Sequence, residues 1–379
     1  MDFGFNEEQE AIREAARGIF QGLITPDRVN EVEHSDERID RDLWKALADA
    51  DLLGIGIPDA FGGIGGGMME IGLVLEEQGQ VVAPIPLHAT VVTGSMPIAL
   101  FGSDELKETY LPGVVRGATI LTAALSGVAT SPTFSPTVTA ERQADGWALN
   151  GTAGTVPFAH IAEAIIVPAK TPDNDVVILV VPANSTGLTQ ERVLTTNRAI
   201  HPTVHFDGVV VPKSHVLAEP SVGRDVTRQI LDRAMTGLSL TQIGVCEAAL
   251  KQTAEHLNQR EQFGRPLSTF QGTMLRAADA AIDTEAMRVT AWQAAWRLDE
   301  GLESTEAVLV AKWQASLRGQ RVVHATQHLH GGTGADITYP IHRYFLWGKQ
   351  IELELGSPSL QLARLGDLIT DHPDQIVHR

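Results

Sequence analysis

"TVTAERQADGWALNGTAG", Thr137–Gly154, decides how the rest of the chain is read. Side chains alternate on either side of Ala144-Asp145-Gly146, the pattern of two strands joined by a tight turn. Two further β-branched runs follow, "AEAIIVPAK" (162–170) and "DVVILVVPA" (175–183), each closed by Pro-Ala or Ala-Lys, and "HFDGVVVPKSHVL" (205–217) completes the set. Together they predict a small antiparallel barrel or sandwich over residues 118–220.

The sequence on both sides of this region has helical spacing. Upstream, "NEEQEAIREAARGIFQGL" (6–23) places Ile12, Ala15, Ala16, Ile19 and Phe20 on one face, with Asn6 as the expected cap. The Gly-rich stretch 59–80 reads as a loop followed by a helix opening near Met68. No strand or GxGxxG pattern precedes it, so a nucleotide fingerprint is not indicated. Downstream, residues 225–260, 270–301 and 304–332 predict three long helices and 356–369 a shorter one, with Leu275, Ala278, Ile282, Ala286 and Val289 along one stripe of the second. That is the layout of a four-helix bundle. The expected fold class is therefore α+β: an N-terminal helical domain (1–117), a middle β domain (118–220) and a C-terminal helical bundle (221–379).

Composition limits what such a chain can do. With 379 residues it can bury a sizeable core. Its 29 Lys+Arg against 47 Asp+Glu leave a formal charge of −18, which argues against nucleic-acid partners. The single cysteine, Cys246, allows no internal disulfide and no Cys-based zinc site. The acidic, non-apolar start is unlike a secretory signal, and no apolar run reaches the roughly 18 residues of a membrane span. A cytoplasmic protein with no membrane association is expected.

Two stretches resemble the acyl-CoA dehydrogenase family: "REQFGRPLSTFQ" (260–271), similar to its Arg-x-x-Phe-Gly…Gln segment, and "GGTGADITYP" (331–340), similar to its Gly-Gly-x-Gly…Tyr-Pro segment. "GWALNGTAG" (146–154) resembles the hairpin that precedes the family's flavin-contacting strand. The likeness spans the chain in order, and "GGTGADITYPIHRYF" is also like variants that degrade bulky acyl-CoAs, including steroid side chains. The resemblance implies FAD, an acyl-CoA substrate, oligomers with FAD across a subunit interface, and an electron-transferring flavoprotein as electron acceptor. A base removes the α-proton while a hydride leaves the β-carbon for the flavin, giving a trans-2-enoyl-CoA. A carboxylate in a dry pocket suits that task.

Carried over by register, the resemblance assigns Arg260, Gln262, Phe263, Gln271, His328, Gly331, Gly332 and Ser357 to cofactor binding. Arg260 would meet the FAD pyrophosphate of a neighbouring subunit, as a guanidinium fork suits phosphate oxygens. His328 stands where the family has Gln. His324 and His328, four apart on a helix, also have metal-ligand spacing, but the family match explains them better and no metal is expected.

The family's catalytic Glu-Gly-Thr falls on Leu355-Gly356-Ser357. Leu355 cannot take a proton, and Glu354, one residue away, would point elsewhere on a regular element. Some members carry the base on the long helix just before an arginine, which here gives Asp232 before Arg233. The alternative for Asp232 is a surface pair with Arg228. The family's Trp-Ile-Thr flavin contacts fall on Thr155-Val156-Pro157, and its Thr-Glu-Pro-Gly loop is replaced by "ALSGVATSPTF" (124–134). Pro157 has no amide to donate.

Three functions stay open. The first is a subunit of a heteromeric dehydrogenase (α2β2) whose ring contacts and base come from a homologous partner chain. The second is a homotetrameric dehydrogenase using Asp232. The third is a flavin-free CoA-thioester-binding or dehydratase-like relative.

Overall fold

The first helix begins where the chain can satisfy its own orphan amides. Asn6 accepts from the Gln9 amide (2.9 Å) while the Gln9 side chain accepts from the Asn6 amide (3.1 Å), a reciprocal cap. A computed structural model describes residues 4–131 and 134–371. Helices α1 (Glu7–Leu23), α2 (Pro26–Glu33), α3 (Arg41–Asp49) and α4 (Met68–Val81) lead into a π-helix, His88–Ser95, and then α5 (Met96–Phe101) and α6 (Asp104–Val115). From α1, Ala16 and Phe20 are buried and Ile12 and Ile19 partly so, while Ala15 of the expected face is exposed.

Strands β1 (Leu121–Ala123), β2 (Thr139–Gln143), β3 (Gly146–Ala153), β4 (Ala164–Lys170), β5 (Val176–Pro182), β6 (Leu188–Glu191), β7 (Thr203–Pro212) and β8 (Val216–Ala218) follow, with a short helix α7 (Ser126–Thr130) after β1. They form one sheet in the order β6-β7-β3-β2-β4-β5-β8, with β1 alongside β4. The hairpin expected at Ala144–Gly146 is present, pairing Gln143 with Gly146. Two pairings, β1 with β4 and β2 with β4, are parallel rather than antiparallel. Strands β4 and β5 read as unbroken apolar runs because both faces are covered. Ile165, Val167, Val177 and Leu179 enter the sheet's own core, whereas Ile166, Ile178 and Val180 enter the helical core.

Helix α8 (Pro220–Gln259) spans 40 residues, roughly 60 Å. A hairpin, β9 (Glu261–Gln262) and β10 (Arg265–Pro266), joins it to α9 (Gln271–Asp299), and α10 (Thr305–Leu329), α11 (Ile341–Leu353) and α12 (Pro358–Asp371) complete the chain. Helix α11 is additional to the four expected from sequence. The stripe on α9 faces outward: Leu275, Ile282 and Val289 are 58%, 64% and 66% exposed, while Ala280, Met287, Ala291 and Ala294 are buried. Small side chains let α9 approach its neighbours closely, so they took the inner face. No described helix is long and apolar enough to cross a membrane.

Helices α4 and α8 meet backbone to backbone. A methyl added at Gly244 would lie 1.9 Å from the Glu76 carbonyl oxygen, and one at Gly79 would lie 2.3 Å from that of Thr241. Gly244→Ala is therefore expected to destabilise the fold by about 1–3 kcal/mol. Gly18→Ala, in open space on α1, should stabilise it by about 0.5–1 kcal/mol. Urea midpoints of the two variants check both signs.

Candidate functional site

Two adjoining cavities open where the π-helix, the sheet and the end of α11 converge. They share His88, Pro157, His201, Gln350 and Glu354 in their walls. The second, about 950 Å3 of empty space partly open to solvent, is also lined by Ser126, Thr155, Leu353 and Leu355. On α8 the first cavity takes Leu238 and Thr241. His88 Nε2 lies 2.8 Å from the Ala234 carbonyl oxygen, which can only accept, so that nitrogen carries the proton and Nδ1 is the acceptor. Burial holds both His88 and His201 below the ordinary imidazole range, with Glu354 opposing the effect on each. Neither histidine was singled out from sequence: the π-helix that carries His88 has no local pattern that reveals it, and His201 lies in the loop before β7.

Glu354 and Leu355 both line the cavity wall. The expectation that Glu354 points elsewhere assumed a regular element. Helix α11 ends at Leu353, Glu354 is extended, and Leu355 adopts a left-handed φ of 57°, so two consecutive residues can face the same space. Glu354 Oε2 accepts from Gln350 (3.1 Å), and no hydrogen bond engages the Leu355 N–H among the described residues. Beneath this turn lies Lys312, fully buried on α10. Its ammonium donates to Ser316 Oγ (2.7 Å) and to the Ile351 carbonyl (2.8 Å). Burial pulls its pKa down to about 7. A lone lysine in the apolar run "AVLVAKWQA" was the signal that could have flagged it.

The loop after β3 directs its amides away from the cavity. Val156 N–H donates to Pro202 (2.9 Å) and Phe158 N–H to Ile200 (3.1 Å), while Pro157 has no N–H and its carbonyl accepts from Thr122 Oγ1 (2.6 Å). Thr155 donates to Ser126 Oγ at 3.0 Å. In "ALSGVATSPTF" residues Ser126–Thr130 form α7, and Pro132 and Thr133 lie outside the described residues. Ser357 follows the Leu355 turn, where its carbonyl accepts from the Gln361 amide (3.1 Å).

The other sequence-predicted residues gather at one end of the bundle. Arg260 follows α8, Gln262 and Phe263 shape the hairpin, Gln271 opens α9, and His328, Gly331 and Gly332 end α10. Phe263 is 92% exposed. His330, stacked 4.3 Å from His256 and 3.2 Å from Thr253 Oγ1, fixes the Gly331 turn to α8. Gln327 donates to the Gly334 carbonyl at 3.0 Å, so it braces the loop. No ion pair or side-chain hydrogen bond engages Arg260, Gln271 or His328 among the described residues, and nothing lies within 4 Å of a methyl built on Gly331 or Gly332. Those features fit a pyrophosphate, which needs a cationic fork and close backbone approach. His328 is 16 positions from Lys312 on α10, roughly 24 Å along the axis, so this end is remote from the chain's own cavity. His324 packs edge-on against Phe345 (4.7 Å), and no group of three metal-binding side chains occurs among the described residues.

Asp232 is not brought to the cavity. Residues 238 and 241 of α8 face it, and six and nine positions at about 100° each put Asp232 on another side. Its charged neighbours are Arg228, Arg233 and Glu303, near the α9–α10 turn. The expected surface pair with Arg228 is absent too: Arg228 pairs with Asp225 (3.6 Å), and Asp232 is only 5% exposed. Burial pushes its carboxyl up to about 7.

Comparisons with known proteins agree with this architecture. Residues 6–118 match the acyl-CoA dehydrogenase N-terminal domain and 222–369 its C-terminal domain. Acyl-CoA dehydrogenase FadE27 of Mycobacterium tuberculosis is 34% identical over 98% of this chain and 100% of its own. A chain of a variant of the Tcur3481-Tcur3483 steroid ACAD superposes with TM-score 0.90 at 43% identity, covering 97% of this chain and 99% of that one. A chain of the ChsE4-ChsE5 complex from Mycobacterium tuberculosis gives 0.92 at 33%, covering 98% and 99%. By fold, by both domain matches and by near full-length similarity, the chain belongs to the acyl-CoA dehydrogenase family, flavoprotein oxidoreductases that act on CH–CH groups.

Proposed function

We propose that this chain is one subunit of a heteromeric, FAD-dependent acyl-CoA dehydrogenase acting on a bulky, steroid-type acyl-CoA in the cytoplasm. The observation that carries the reading is Leu355. A neutral side chain occupies the cavity wall at the family's base position. The amides of Val156 and Phe158, turned to Pro202 and Ile200, leave little to hold a flavin ring there. FAD, when bound, supplies the hydride acceptor for the β-carbon. This chain's part is at the bundle end, where Arg260 grips the pyrophosphate of a flavin whose ring and base belong to the partner. Gly331 and Gly332 admit the cofactor closely, with Gln262, Phe263, Gln271 and His328 around it. The exposed apolar stripe Leu275, Ile282 and Val289 gives α9 a face for such a partner. The similarity to chains of the Tcur3481-Tcur3483 and ChsE4-ChsE5 assemblies supports the heteromeric form. The division at 117/118 and 220/221 belongs to this reading, supported by domain matches at 6–118 and 222–369. Electrons leave to an electron-transferring flavoprotein.

A second reading, a homo-oligomer, is favoured by one observation: Glu354 reaches both cavities. The visible spectrum and the FAD-to-chain ratio separate the two. The lone chain is expected to be colourless and a co-expressed pair with a homologous chain yellow, at one flavin per pair. Arg260→Gln should weaken FAD in that pair about tenfold or more. One flavin per lone chain, bleached by an acyl-CoA and no longer bleached in Glu354→Gln, would reverse the conclusion.

Asp232 is expected to act through stability alone. Its folded pKa lies above the unfolded value, so its contribution is fully present below about pH 4 and is lost as pH rises through about 7. Asp232→Asn should leave turnover of the pair unchanged and flatten the decline in urea midpoint between pH 4.5 and 8. A large loss of turnover with flavin retained would return Asp232 to the chemistry.

A further inference from the structure

Arg260 and Gly331, at the end of the bundle, belong to two different helices. Arg260 follows the last turn of α8 and Gly331 the last turn of α10. Helix ends fray, so a site divided between two of them keeps its geometry only if the ends are tied to each other. A ligand gripped from both sides demands placement within about 0.5 Å. The tie here is a pair of imidazoles. His256 lies one turn before Arg260, and its carbonyl accepts from the Arg260 amide (2.8 Å). His330 immediately precedes Gly331 and is only 4% exposed. The two rings stack with centroids 4.3 Å apart and planes inclined by 28°. Tyr339, just before α11, tilts against His330 at 5.3 Å and closes a third side.

Hydrogen bonding also fixes how the His330 ring is turned. The Thr253 hydroxyl donates to the Ala249 carbonyl (2.7 Å), so toward His330 its oxygen accepts, and Nε2, 3.2 Å away, carries the proton. Nδ1 is then a bare acceptor, buried with no hydrogen-bond partner among the described residues. A buried polar atom left in that state costs about 1–3 kcal/mol. Phenylalanine would stack without that cost but could not donate to Thr253, and asparagine could donate but not stack. Imidazole does both, so orientation is secured here at the expense of stability, a trade that marks functional positions. Burial, and after it the charge of Arg260 on His256 and of His256 on His330, holds both rings below the ordinary imidazole range, His330 at about 4. Both are therefore neutral at pH 7, and Arg260 remains the cation offered to a ligand.

We infer that His256 and His330 are positioning residues for the flavin: their stack sets the separation of Arg260 from the Gly331–Gly332 turn, and with it how tightly the pyrophosphate is held. They act through Arg260 and Gly331. Without the stack, the end of α8 and the end of α10 move independently, and the guanidinium and the glycine backbone no longer meet one ligand together. The inference rests on the reading of Arg260 and Gly331 as a flavin half-site, and it holds whichever chain supplies the ring contacts.

Titration of the assembled, flavin-depleted oligomer with FAD, followed by the quenching of flavin fluorescence, tests it. His256→Ala and His330→Ala are each expected to weaken FAD about tenfold. His256→Phe, which keeps the stack, should stay within about twofold of the unaltered protein. Because the pair acts through Arg260, His256→Ala combined with Arg260→Gln should bind FAD within about twofold of Arg260→Gln alone. A general loosening of the fold would instead add to the loss. If His330→Ala does not assemble, His256→Ala, His256→Phe and the double variant decide. Full affinity in His256→Ala, an equal loss in His256→Phe, or losses that add in the double variant overturn the inference and leave the half-site reading standing. Undiminished affinity in Arg260→Gln removes that reading, and the inference falls with it.

Discussion

The close crossing of α4 and α8 sets the geometry of everything around it. Gly79 and Gly244 remove the side chains that would hold the two helices at the usual 8–10 Å, so their backbones touch. Helix α8 can then pack on the helices, on β5 and on α11 at once. Gly223 does the same at the sheet, where an added methyl would lie 1.7 Å from the Val176 carbonyl oxygen. With α8 fixed against both, the π-helix that follows α4 is held over its surface, and His88 reaches the Ala234 carbonyl. The cavity is what remains between surfaces positioned by these glycines.

A buried cation performs the second fixing step. A helix ends with carbonyls that lack intrahelical partners, and for α11 these point into the protein rather than into water. Lys312 supplies the donor. Its ammonium on the Ile351 carbonyl holds the last turn of α11, so that the chain must leave sharply. Leu355 pays for that exit with a left-handed backbone, and Gln361, wholly buried, secures its carbonyl at 2.9 Å. The turn holds its shape with a leucine at its centre, a side chain that cannot accept a proton. Shape and chemistry are thus set by different residues here, and one can be retained without the other.

This separation explains what could be read from the sequence. The β region was legible because alternation and turn chemistry act over a few residues: Ala144–Gly146 marked the hairpin correctly. The capped start at Asn6 and the helix at Met68 were legible for the same reason. The orientation of α9 was not, because its inner face is built from alanines and its outer face from Leu275, Ile282 and Val289, so hydrophobicity pointed the wrong way. Helix α11 was missed because it runs between two segments whose motifs drew the reading. For Glu354, the error lay in assuming regular geometry at a residue where the helix stops. For Asp232, residue order alone gave no rotation about α8, and that rotation decides what it faces.

The two ends of the bundle now carry opposite signatures. In the loop after β3, polar groups are satisfied internally: Pro157 through Thr122, Val156 through Pro202, Phe158 through Ile200. At the end near Gly331, donors are left unsatisfied and glycines leave space. Internal satisfaction is what a chain acquires where no ligand supplies the partner, since an unpaired buried group costs about 1–3 kcal/mol. An exposed, unpaired Arg260 costs little in water and gains a partner only when another molecule arrives. The roughly 24 Å between these regions means that selection at one need not disturb the other. On the heteromeric reading proposed above, that separation would let a subunit close its own ring pocket while keeping the surface it offers to a neighbour.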